Sequence, residues 1–259
     1  MTIRYTTRTA VFSDAQPNNI GVGDVIQYGT GPYNLAFIIS RVSSTEYGVQ
    51  AWDTRAPEAA SGASFAIYRA HLLLDDWEDQ VEGDVNDDIS DTVSNQVLVN
   101  QDLVASNTIM MVPAYASTDG DTVAVNIDGW ITAKYNNVIV YTPKDSNEVG
   151  VSQRHNGVWD DDKYYLLSGF YSSDLYVHID GLQLKKSISA NDSVIYGGVF
   201  GNGIFDVSNN IVTADISGGI NNQAIFINNI SNGTLNAWNN IVYGISSITG
   251  QGYGIRVNN

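Results

Sequence analysis

The chain of 259 residues contains no cysteine, and this absence removes several kinds of chemistry at once. Disulfide cross-links, thiolate metal sites and cysteine nucleophiles are all excluded. Basic residues are also few: 12 Lys and Arg stand against 28 Asp and Glu, which gives a formal net charge of −16. Because contacts from Lys and Arg dominate affinity for phosphate, we expect neither nucleic acid nor an anionic membrane as a partner. The acidity instead favours solubility, cation binding or contact with a basic partner.

Long apolar runs are missing as well. No run on the order of 18 apolar residues occurs, so no transmembrane helix is predicted. The first eight residues, Met1 to Arg8, have no apolar segment of the kind that a secretory signal needs. A protein that works outside a cell without such a signal is either a virion protein released by lysis or a mature chain with a new Met. We therefore expect an extracellular or virion location.

The chain from Val194 to Asn259 repeats with a fixed period of thirty residues. Ile195, Ile225 and Ile255 fall in one column, and the Asn-Asn-Ile-Val of residues 209–212 falls on that of residues 239–242. Each repeat consists of short runs rich in β-branched residues, separated by Asn-Gly, Asn-Asn or Gly-Gly pairs. A fixed period between about 20 and 50 residues is typical of solenoids. The repeat therefore predicts a β-solenoid.

Alternation along each strand predicts which side chains face the interior. We expect two columns to face inward: Ile195/Ile225/Ile255 and Gly197/Ile227/Val257. A third column should face outward: Tyr196/Phe226/Arg256. Asn tolerates the left-handed backbone of tight turns, and Asn side chains at one height can hydrogen-bond from coil to coil. The Asn-Asn pairs therefore predict an asparagine ladder at one turn.

Three short strands per coil, an apolar interior and an asparagine ladder resemble the right-handed parallel β-helix superfamily, which includes pectate lyases and phage tailspikes. The resemblance extends upstream to residues 175–184, where Asp180-Gly181 takes the place of the Asn-Asn pair. One earlier, less regular coil is expected over residues 122–130 and 135–141. The resemblance implies a β-helix of about four to five coils over residues 95–259. It specifies a fold and carries no catalytic motif with it.

Residues 1–81 predict a small N-terminal β domain. A turn and strand at 19–28 and strands near 35–42, 46–52 and 65–69 are typical of a small antiparallel sheet or barrel. Leu73, Trp77 and Val81 share one face of a helix predicted over residues 70–81. Because exposed sheet edges invite aggregation, we expect this helix, or its domain, to cap the first coil. Residues 82–94 are interpreted as an acidic linker.

Four oxygen-bearing side chains stand at alternate positions of this acidic segment: Asp84, Asn86, Asp88 and Ser90. The pattern resembles the first half of an EF-hand-type calcium loop. Ile89 stands where such a loop needs Gly, and Asn95 stands where it needs a bidentate Glu. A calcium ion is one hypothesis for this segment, and a solvated acidic linker is the other. No other cofactor is predicted.

A His, a Trp and three carboxylates lie within residues 155–162. The candidates for catalytic acid and base are His155, Asp160, Asp161 and Asp162, acting around a glycosidic bond. The other interpretation is a polar excursion from a coil, anchored by Trp159, because polar residues collect on loops with or without a function. His178 alternates with apolar residues and is interpreted as an outward polar residue.

The regular coils do not carry the chemistry of the two enzyme classes found in the resembling superfamily. Glycosidases with this fold gather carboxylates over adjacent coils, whereas here Asp206 falls on Asn236 and Asp215 falls on Ile245. Lyases with this fold use calcium and a basic proton acceptor. From Ser187 onwards the chain has one Arg, Arg256, and no Lys. The sequence therefore favours a protein that is not an enzyme.

Exposed aromatic side chains are the candidates for ligand binding. The outward column Tyr196/Phe226/Arg256, together with Trp238 on another face and Trp159 on the loop, offers rings on which a sugar or a partner protein could stack. Glycan binding and protein docking both remain open for these residues.

The repeat stops in mid-coil at Asn258-Asn259, without the cap that terminal repeats normally need. Either the chain is a fragment, or the edge is covered by another chain in a head-to-tail or intertwined oligomer. The first functional hypothesis is a non-enzymatic structural β-helix of an extracellular or viral assembly: a fibre, tailspike-like or decoration protein. The second is a polysaccharide-binding or polysaccharide-cleaving protein that uses residues 155–162 and the aromatic column.

Overall fold

The structure, a computed structural model, describes residues 1–199, 202–218, 221–229, 233–246 and 250–258. The chain divides into two compact units. The first comprises Met1–Val99 and Pro143–Ser152, and the second comprises Asn100–Thr142 and Gln153–Asn259. Asn259, the last residue of the predicted β-helix, lies outside the described residues.

The first unit is built on one antiparallel sheet, as the sequence predicts. Its six strands are β1 (Thr2–Arg4), β2 (Thr9–Val11), β3 (Asp24–Tyr28), β4 (Asn34–Arg41), β5 (Glu46–Gln50) and β6 (Phe65–Arg69). Their order in the sheet is β1-β2-β5-β4-β3-β6. Successive residues point to opposite faces, so Ile26 and Ile38 pack in one apolar cluster while Val25 and Leu35 pack in another.

The second of these clusters includes residues from the acidic stretch 82–94. Val85, Ile89 and Val93 are buried against Val25 and Leu35, together with Val97 just beyond the stretch. Short 3-10 turns at Glu82–Asp84 and Ser94–Gln96 shape the segment. The sequence interpretation as a solvated linker missed this packing, although the four apolar residues recur at every fourth position, because the acidic residues among them dominate the composition of the segment.

The predicted helix over residues 70–81 is shorter in the structure. Helix α1 spans Leu74–Asp79, and it ends at Gln80, whose φ of 52° is left-handed. The buried face consists of Leu74, Trp77 and Glu78, whereas Val81 is exposed. The predicted buried face of Leu73, Trp77 and Val81 was therefore wrong in two residues. Leu74 is buried in place of Leu73, and Val81 lies beyond the end of the helix. That α1 caps the first coil stays a prediction.

The second unit is a parallel β-helix, and its strands form three parallel sheets. Sheet A contains β7 (Met110–Pro113), β9 (Val138–Tyr141), β12 (Tyr176–Asp180), β15 (Ile204–Ser208) and β18 (Thr234–Trp238). Sheet B contains β10 (Tyr165–Leu166), β13 (Gln183–Ile188), β16 (Ile211–Ile216) and β19 (Ile241–Tyr243). Sheet C contains β8 (Val125–Ile127), β11 (Phe170–Ser172), β14 (Ser193–Val199), β17 (Asn221–Asn229) and β20 (Gln251–Asn258).

Over the described residues the chain visits the sheets in the order A, B, C through five coils. Strand β8 ends the first of these coils and β9 begins the second, so residues 122–130 and 135–141 belong to two coils and not to the one coil that the sequence predicts. In the first coil a single parallel bridge between Asp121 and Leu166 takes the place of a sheet B strand. Helix α2 (Leu103–Ser106) precedes this coil, and the Asp102 carboxylate caps it by accepting a 2.8 Å hydrogen bond from the Ala105 amide. The predicted all-β solenoid fold is confirmed.

The strand register reproduces the predicted columns of sheet C. Ile195 pairs with Ile225, and Ile225 pairs with Ile255. Ile195 and Ile225 are fully buried, as expected for the interior, whereas Ile255 is 47% exposed. Val257, in the next inward column, is 48% exposed. These two side chains lie on the last described coil, where no further coil packs against them.

The turn between sheets A and B carries the asparagine ladder. Asn210 is fully buried; its Oδ1 accepts a 2.9 Å hydrogen bond from the Leu182 amide, and its Nδ2 donates to the Ile179 carbonyl at 3.2 Å. Asn240 repeats the arrangement one coil later: its Oδ1 accepts from the Asn210 amide at 3.0 Å, and its Nδ2 donates to the Val207 carbonyl at 2.8 Å.

The place of Asp180-Gly181 in this turn differs by one residue from the prediction. Asp180 pairs with Ser208, so Gly181 and not Asp180 stands in the column of Asn209 and Asn239. These three residues share a left-handed backbone, with φ values of 80°, 56° and 54°. Gly and Asn adopt this conformation most readily, which explains the exchange. Leu182, not Gly181, takes the buried position of Asn210.

We expect Asn210→Ala to lower the free energy of unfolding by about 2–4 kcal/mol. The Leu182 amide and the Ile179 carbonyl would lose their buried partner, at about 1–3 kcal/mol each. Asn258→Ala, the same substitution at an exposed position of β20, should change the free energy by less than about 0.5 kcal/mol. Urea unfolding followed by circular dichroism measures both variants. Equal losses in the two variants would contradict a structural role for the buried asparagine.

Candidate functional site

The polar loop predicted at residues 155–162 belongs to an excursion between β9 and β10 and is anchored on the turn between sheets A and B. Arg154 forms an ion pair with Asp180 and donates from Nε to Thr142 Oγ1 at 3.1 Å. His155 Nε2 lies 2.8 Å from the Asn209 carbonyl oxygen. The loop 153–164 is therefore held to two successive coils by side chains at its start.

The other end of the loop is held by a glutamine of sheet B. Gln183 is fully buried, and its Oε1 accepts a 2.7 Å hydrogen bond from the Asp160 amide. Its Nε2 donates to the carbonyl oxygens of Asp160 and Tyr164 at 2.9 and 3.0 Å. One buried side chain thus fixes the backbone on both sides of the three consecutive aspartates.

The anchored loop encloses an open depression of about 440 Å³. Its lining residues are Asn156, Val158, Trp159, Asp160, Asp161 and Asp162. The Trp159 indole donates to Asp161 Oδ1 at 2.7 Å, and the Trp159 ring lies 5.9 Å from the ring of Tyr165. Asp160 Oδ1 accepts from the Asp162 amide at 3.0 Å. Two of the three carboxylates therefore already bind groups of their own loop.

The four candidate acid and base residues do not form one site. Asp160, Asp161 and Asp162 line the depression, but His155 does not. Both ring nitrogens of His155 are engaged elsewhere, Nε2 with the Asn209 carbonyl and Nδ1 with the Gly157 amide at 3.1 Å. Burial lowers the pKa of His155 from its ordinary value, which favours the neutral ring. This geometry gives the aspartates no histidine partner.

A second polar cluster lies on the outer surface of sheet A, and sequence reasoning did not find it. His178 Nε2 lies 2.9 Å from Ser208 Oγ, and Ser208 donates to Asp180 Oδ1 at 2.6 Å. The Trp238 ring lies 5.7 Å from the His178 ring. Strand pairing brings these residues together from three successive coils, so no local sequence motif predicts the cluster.

This cluster contains the residue types of a Ser-His-Asp triad, yet its order excludes that chemistry. In a triad the histidine lies between the serine and the carboxylate and takes the serine proton. Here Ser208 lies between His178 and Asp180 and gives its proton to the carboxylate. Ser208 is also 1% exposed, so no substrate reaches its hydroxyl. The cluster is a structural hydrogen-bond network.

The predicted aromatic column is present on the outer surface of sheet C. The rings of Tyr196 and Phe226 lie 5.6 Å apart, and the Arg256 guanidinium lies 5.4 Å from the Phe226 ring and 5.0 Å from the Tyr253 ring. Tyr171 extends the column by one coil, because it pairs with Tyr196. Sequence analysis missed Tyr171 since it lies before the regular thirty-residue period.

The other two aromatic candidates lie apart from this column. Trp238 is on sheet A and is 45% exposed, and Trp159 is on the loop 153–164. At the upper end of the column, Lys186 Nζ lies 5.0 Å from the Tyr171 ring and also contacts Asp192. The aromatic candidates predicted from the sequence thus lie on three separate surfaces and do not form a single one.

The calcium hypothesis at the acidic segment receives no support from the arrangement of its side chains. Asn86 Oδ1 accepts from the Asp88 amide at 3.0 Å, and Asn86 Nδ2 donates to the Arg69 carbonyl at 3.0 Å. Ser90 Oγ lies 2.9 Å from Thr92 Oγ1. Within the described ranges, no group of three His, Cys, Asp or Glu side chains is placed to hold a metal ion. Calcium at Asp84, Asn86, Asp88 and Ser90 stays a prediction.

Comparison of the chain with protein-family models, with curated protein sequences and with solved structures finds no match. The described helices include none long and apolar enough to cross a membrane. The β-helix fold is therefore shown by the structure alone, and the function has to be argued from the described surfaces.

We expect His178 to destabilise the fold as the pH falls from about 7.5 to 5, against the opposite contributions of Asp24 and Asp174, whose pKa values burial raises to about 6. Burial lowers the folded-state pKa of His178, while Asp180 and Asp206 oppose the shift. Below a pH of about 6.5 the unfolded chain therefore binds a proton that the folded chain does not bind. The stability that neutral His178 contributes is therefore present above a pH of about 6.5 and is lost as the pH falls below it.

His178→Gln keeps an N–H donor towards Ser208 but does not titrate, so it should reduce the pH slope, by at most about 1.4 kcal/mol per pH unit. Thermal melts across this pH range measure the effect. His71 and His155, whose pKa values burial also lowers, still contribute in the variant. An unchanged slope in the variant would show that His178 does not couple folding to pH.

Proposed function

We propose that this protein is a non-enzymatic structural β-helix of an extracellular or viral assembly, such as a fibre, a tailspike-like protein or a decoration protein. In this proposal it docks onto a second copy of itself through the coil formed by β18, β19 and β20. The observation that carries the proposal is the exposed interior of this coil.

The last described coil presents three strand edges and an apolar interior together. Strands β18, β19 and β20 are each outermost in their sheets, so one edge of each has no neighbouring strand among the described residues. Ile255 and Val257 are about half exposed, whereas Ile225 and Ile227, in the same columns one coil earlier, are 0% and 1% exposed. A stacked coil would bury these side chains and pair these edges, and both changes favour association.

Three acidic side chains on the outer surfaces of the coils are already engaged, and this supports a structural role. Asp206 accepts a 2.8 Å hydrogen bond from Asn236, and Lys185 lies 2.8 Å from Asp215. Arg154 is paired with Asp180. A glycosidase needs two carboxylates that flank a substrate, at about 5–9.5 Å from each other. On these coils the carboxylates instead tie one coil or loop to the next.

We expect the wild-type chain to form a defined oligomer or filaments as its concentration rises. Replacing Ile255 and Val257 with Asp places two charges at the apolar end, which should abolish the association because buried unpaired charges are strongly unfavourable. Val158→Asp, an equally polar change at an exposed residue of the loop 153–164, is the matched control. Light scattering over a concentration series, with electron microscopy of the same samples, measures the outcome. A wild type that stays monomeric at high concentration overturns docking through this end.

A second function, polysaccharide binding, is favoured by the depression beside Trp159. Its lining combines an indole ring with the carboxylates of Asp160, Asp161 and Asp162, and sugar recognition uses ring stacking together with hydrogen bonds to hydroxyl groups. The column of Tyr171, Tyr196 and Phe226 offers a further stacking surface. In this candidate function the protein binds a glycan, and a cleaving activity would have to come from the aspartates of the loop.

If a glycan binds in the depression, Trp159→Ala should weaken its affinity by about tenfold, since losing a stacked ring costs on the order of 1.4 kcal/mol. Trp52→Ala, at an exposed tryptophan of the first unit, is the matched control and should leave the affinity unchanged. Tyr196→Ala and Trp238→Ala test the other two aromatic surfaces. Glycan arrays identify a ligand, and calorimetry compares the variants. Equal affinity of Trp159→Ala and wild type would remove the depression as the binding site.

A further inference from the structure

The loop 153–164 contains an Asn-Gly pair, Asn156-Gly157, beside a histidine of defined tautomer. His155 Nε2 lies 2.8 Å from the Asn209 carbonyl oxygen, which can only accept, so Nε2 carries the ring proton. Nδ1 of the neutral ring is then an acceptor. It receives a hydrogen bond from the Gly157 backbone amide at 3.1 Å. The ring therefore presents a basic nitrogen to this particular peptide N–H.

The distance and the charge state both suit proton transfer. A general base has to lie about 2.6–3.2 Å from the atom whose proton it takes, and the Nδ1 to N distance of 3.1 Å meets this condition. Burial and the neighbouring Arg154 lower the pKa of His155, against the opposing effects of the Asn209 carbonyl and Asp180. The ring thus stays neutral at neutral pH, and its Nδ1 lone pair remains available to take the Gly157 amide proton.

The surroundings leave the Asn-Gly pair room to react. Gly157 has a φ of 84°, and a Cβ at this position would meet nothing closer than Ile241 Cδ1 at 3.7 Å. Asn156 is exposed and lines the depression. Because Gly has no side chain, its nitrogen can approach the side-chain carbonyl of the preceding Asn with little steric hindrance.

We propose that Asn156-Gly157 is a self-modification site, at which His155 acts as the general base for deamidation of Asn156. This inference is independent of the function proposed above. The group that reacts is the asparagine side chain of the protein itself, and water is the co-reactant. No reacting group outside the loop and no metal ion is needed, while the Asn209 carbonyl holds His155 in the required tautomer.

The reaction proceeds in two balanced steps. His155 Nδ1 takes the Gly157 amide proton while the nitrogen attacks Cγ of Asn156, which forms an N–Cγ bond. The tetrahedral intermediate breaks its Cγ–Nδ2 bond, and the nitrogen leaves as ammonia with the proton returned from the imidazolium. Water then adds to either carbonyl of the five-membered succinimide and opens it to aspartate or isoaspartate. Nothing is oxidised or reduced.

The product carries one more negative charge than the original chain. This carboxylate lies on the depression already lined by Asp160, Asp161 and Asp162. An isoaspartate also adds one carbon to the backbone between His155 and Gly157. The modification therefore changes both the charge and the shape of the loop surface.

The test follows conversion of Asn156 in the full chain at neutral pH and physiological temperature, by mass spectrometry of the proteolytic peptide that spans residues 155–162. We expect the folded protein to convert Asn156 at least about tenfold faster than the same chain unfolded in urea. This factor lies below the usual range of general base catalysis, about 10²–10⁴. His155→Gln retains a donor towards the Asn209 carbonyl but has no basic nitrogen, and it should lose at least about tenfold in rate.

Asn202, in the pair Asn202-Gly203, serves as an internal reference in the same digest. A Cβ on Gly203 would lie 2.6 Å from the Leu175 carbonyl oxygen, so this pair is held tightly and should convert more slowly in the folded than in the unfolded chain. Asn156→Gln, which would need a larger ring, should abolish conversion at position 156. If Asn156 converts no faster in the folded protein than in urea, or if His155→Gln matches wild type, the proposal is overturned.

A second measurement covers the case in which His155→Gln does not fold. In the wild type, a reaction driven by hydroxide alone slows in proportion to hydroxide concentration as the pH falls. A reaction driven by His155 keeps its rate until the imidazole is protonated, with Arg154 and Asp180 as the charged groups that face the ring. A rate strictly proportional to hydroxide concentration overturns the role of His155.

Discussion

The hydrogen bonds of one buried asparagine, Asn210, fix the height at which successive coils stack. A coil that turns from sheet A to sheet B leaves backbone groups in the interior, where water cannot reach them. Asn210 satisfies the Leu182 amide and the Ile179 carbonyl of the coil before it, and its own amide is satisfied by Asn240 of the coil after it. Because each asparagine bonds to a neighbouring coil, the vertical register is set at this turn and transmitted to all three sheets.

The same turn determines what the outer surface can do. The left-handed backbone shared by Gly181, Asn209 and Asn239 turns the carbonyl of Asn209 outward, where His155 binds it. Asp180, in the adjacent column, receives Arg154 from the loop and Ser208 from the next strand. The asparagine ladder therefore positions the loop 153–164, and a substitution in the interior of the turn would also displace the loop. Structure and candidate site share one set of hydrogen bonds.

The regular part of this architecture could be predicted from the sequence because it depends on periodic contacts. The thirty-residue period placed Ile195 over Ile225 and Tyr196 over Phe226, and the strand register confirms both pairs. The predicted position of Asp180-Gly181 was wrong by one residue. Gly181 replaces the left-handed Asn209 of the next coil, and the apolar Leu182 replaces the buried Asn210, so the Asn-Asn pair has no counterpart that the sequence shows. Arg154 and Gln183 contact residues that are far apart from them in sequence, and these contacts do not repeat from coil to coil. No local sequence pattern therefore predicts them. The packing of Ile89 was missed for a different reason, because the carboxylates around it dominate the composition and hide the four-residue spacing of the apolar residues.

The carboxylates of the coils and those of the loop 153–164 have different surroundings. On the coils Asp180, Asp206 and Asp215 are bound by Arg154, Asn236 and Lys185, so their negative charge stabilises the stack instead of facing a ligand. On the loop 153–164 three consecutive aspartates line an open surface, where Asp161 accepts from the Trp159 indole and Asp160 accepts from the Asp162 amide. Charged groups that are already paired bind a further ligand less, which is why polysaccharide binding through carboxylates is proposed at the loop and not on the coils. The coils support this loop, which the buried Gln183 and the Asn209 carbonyl hold in place.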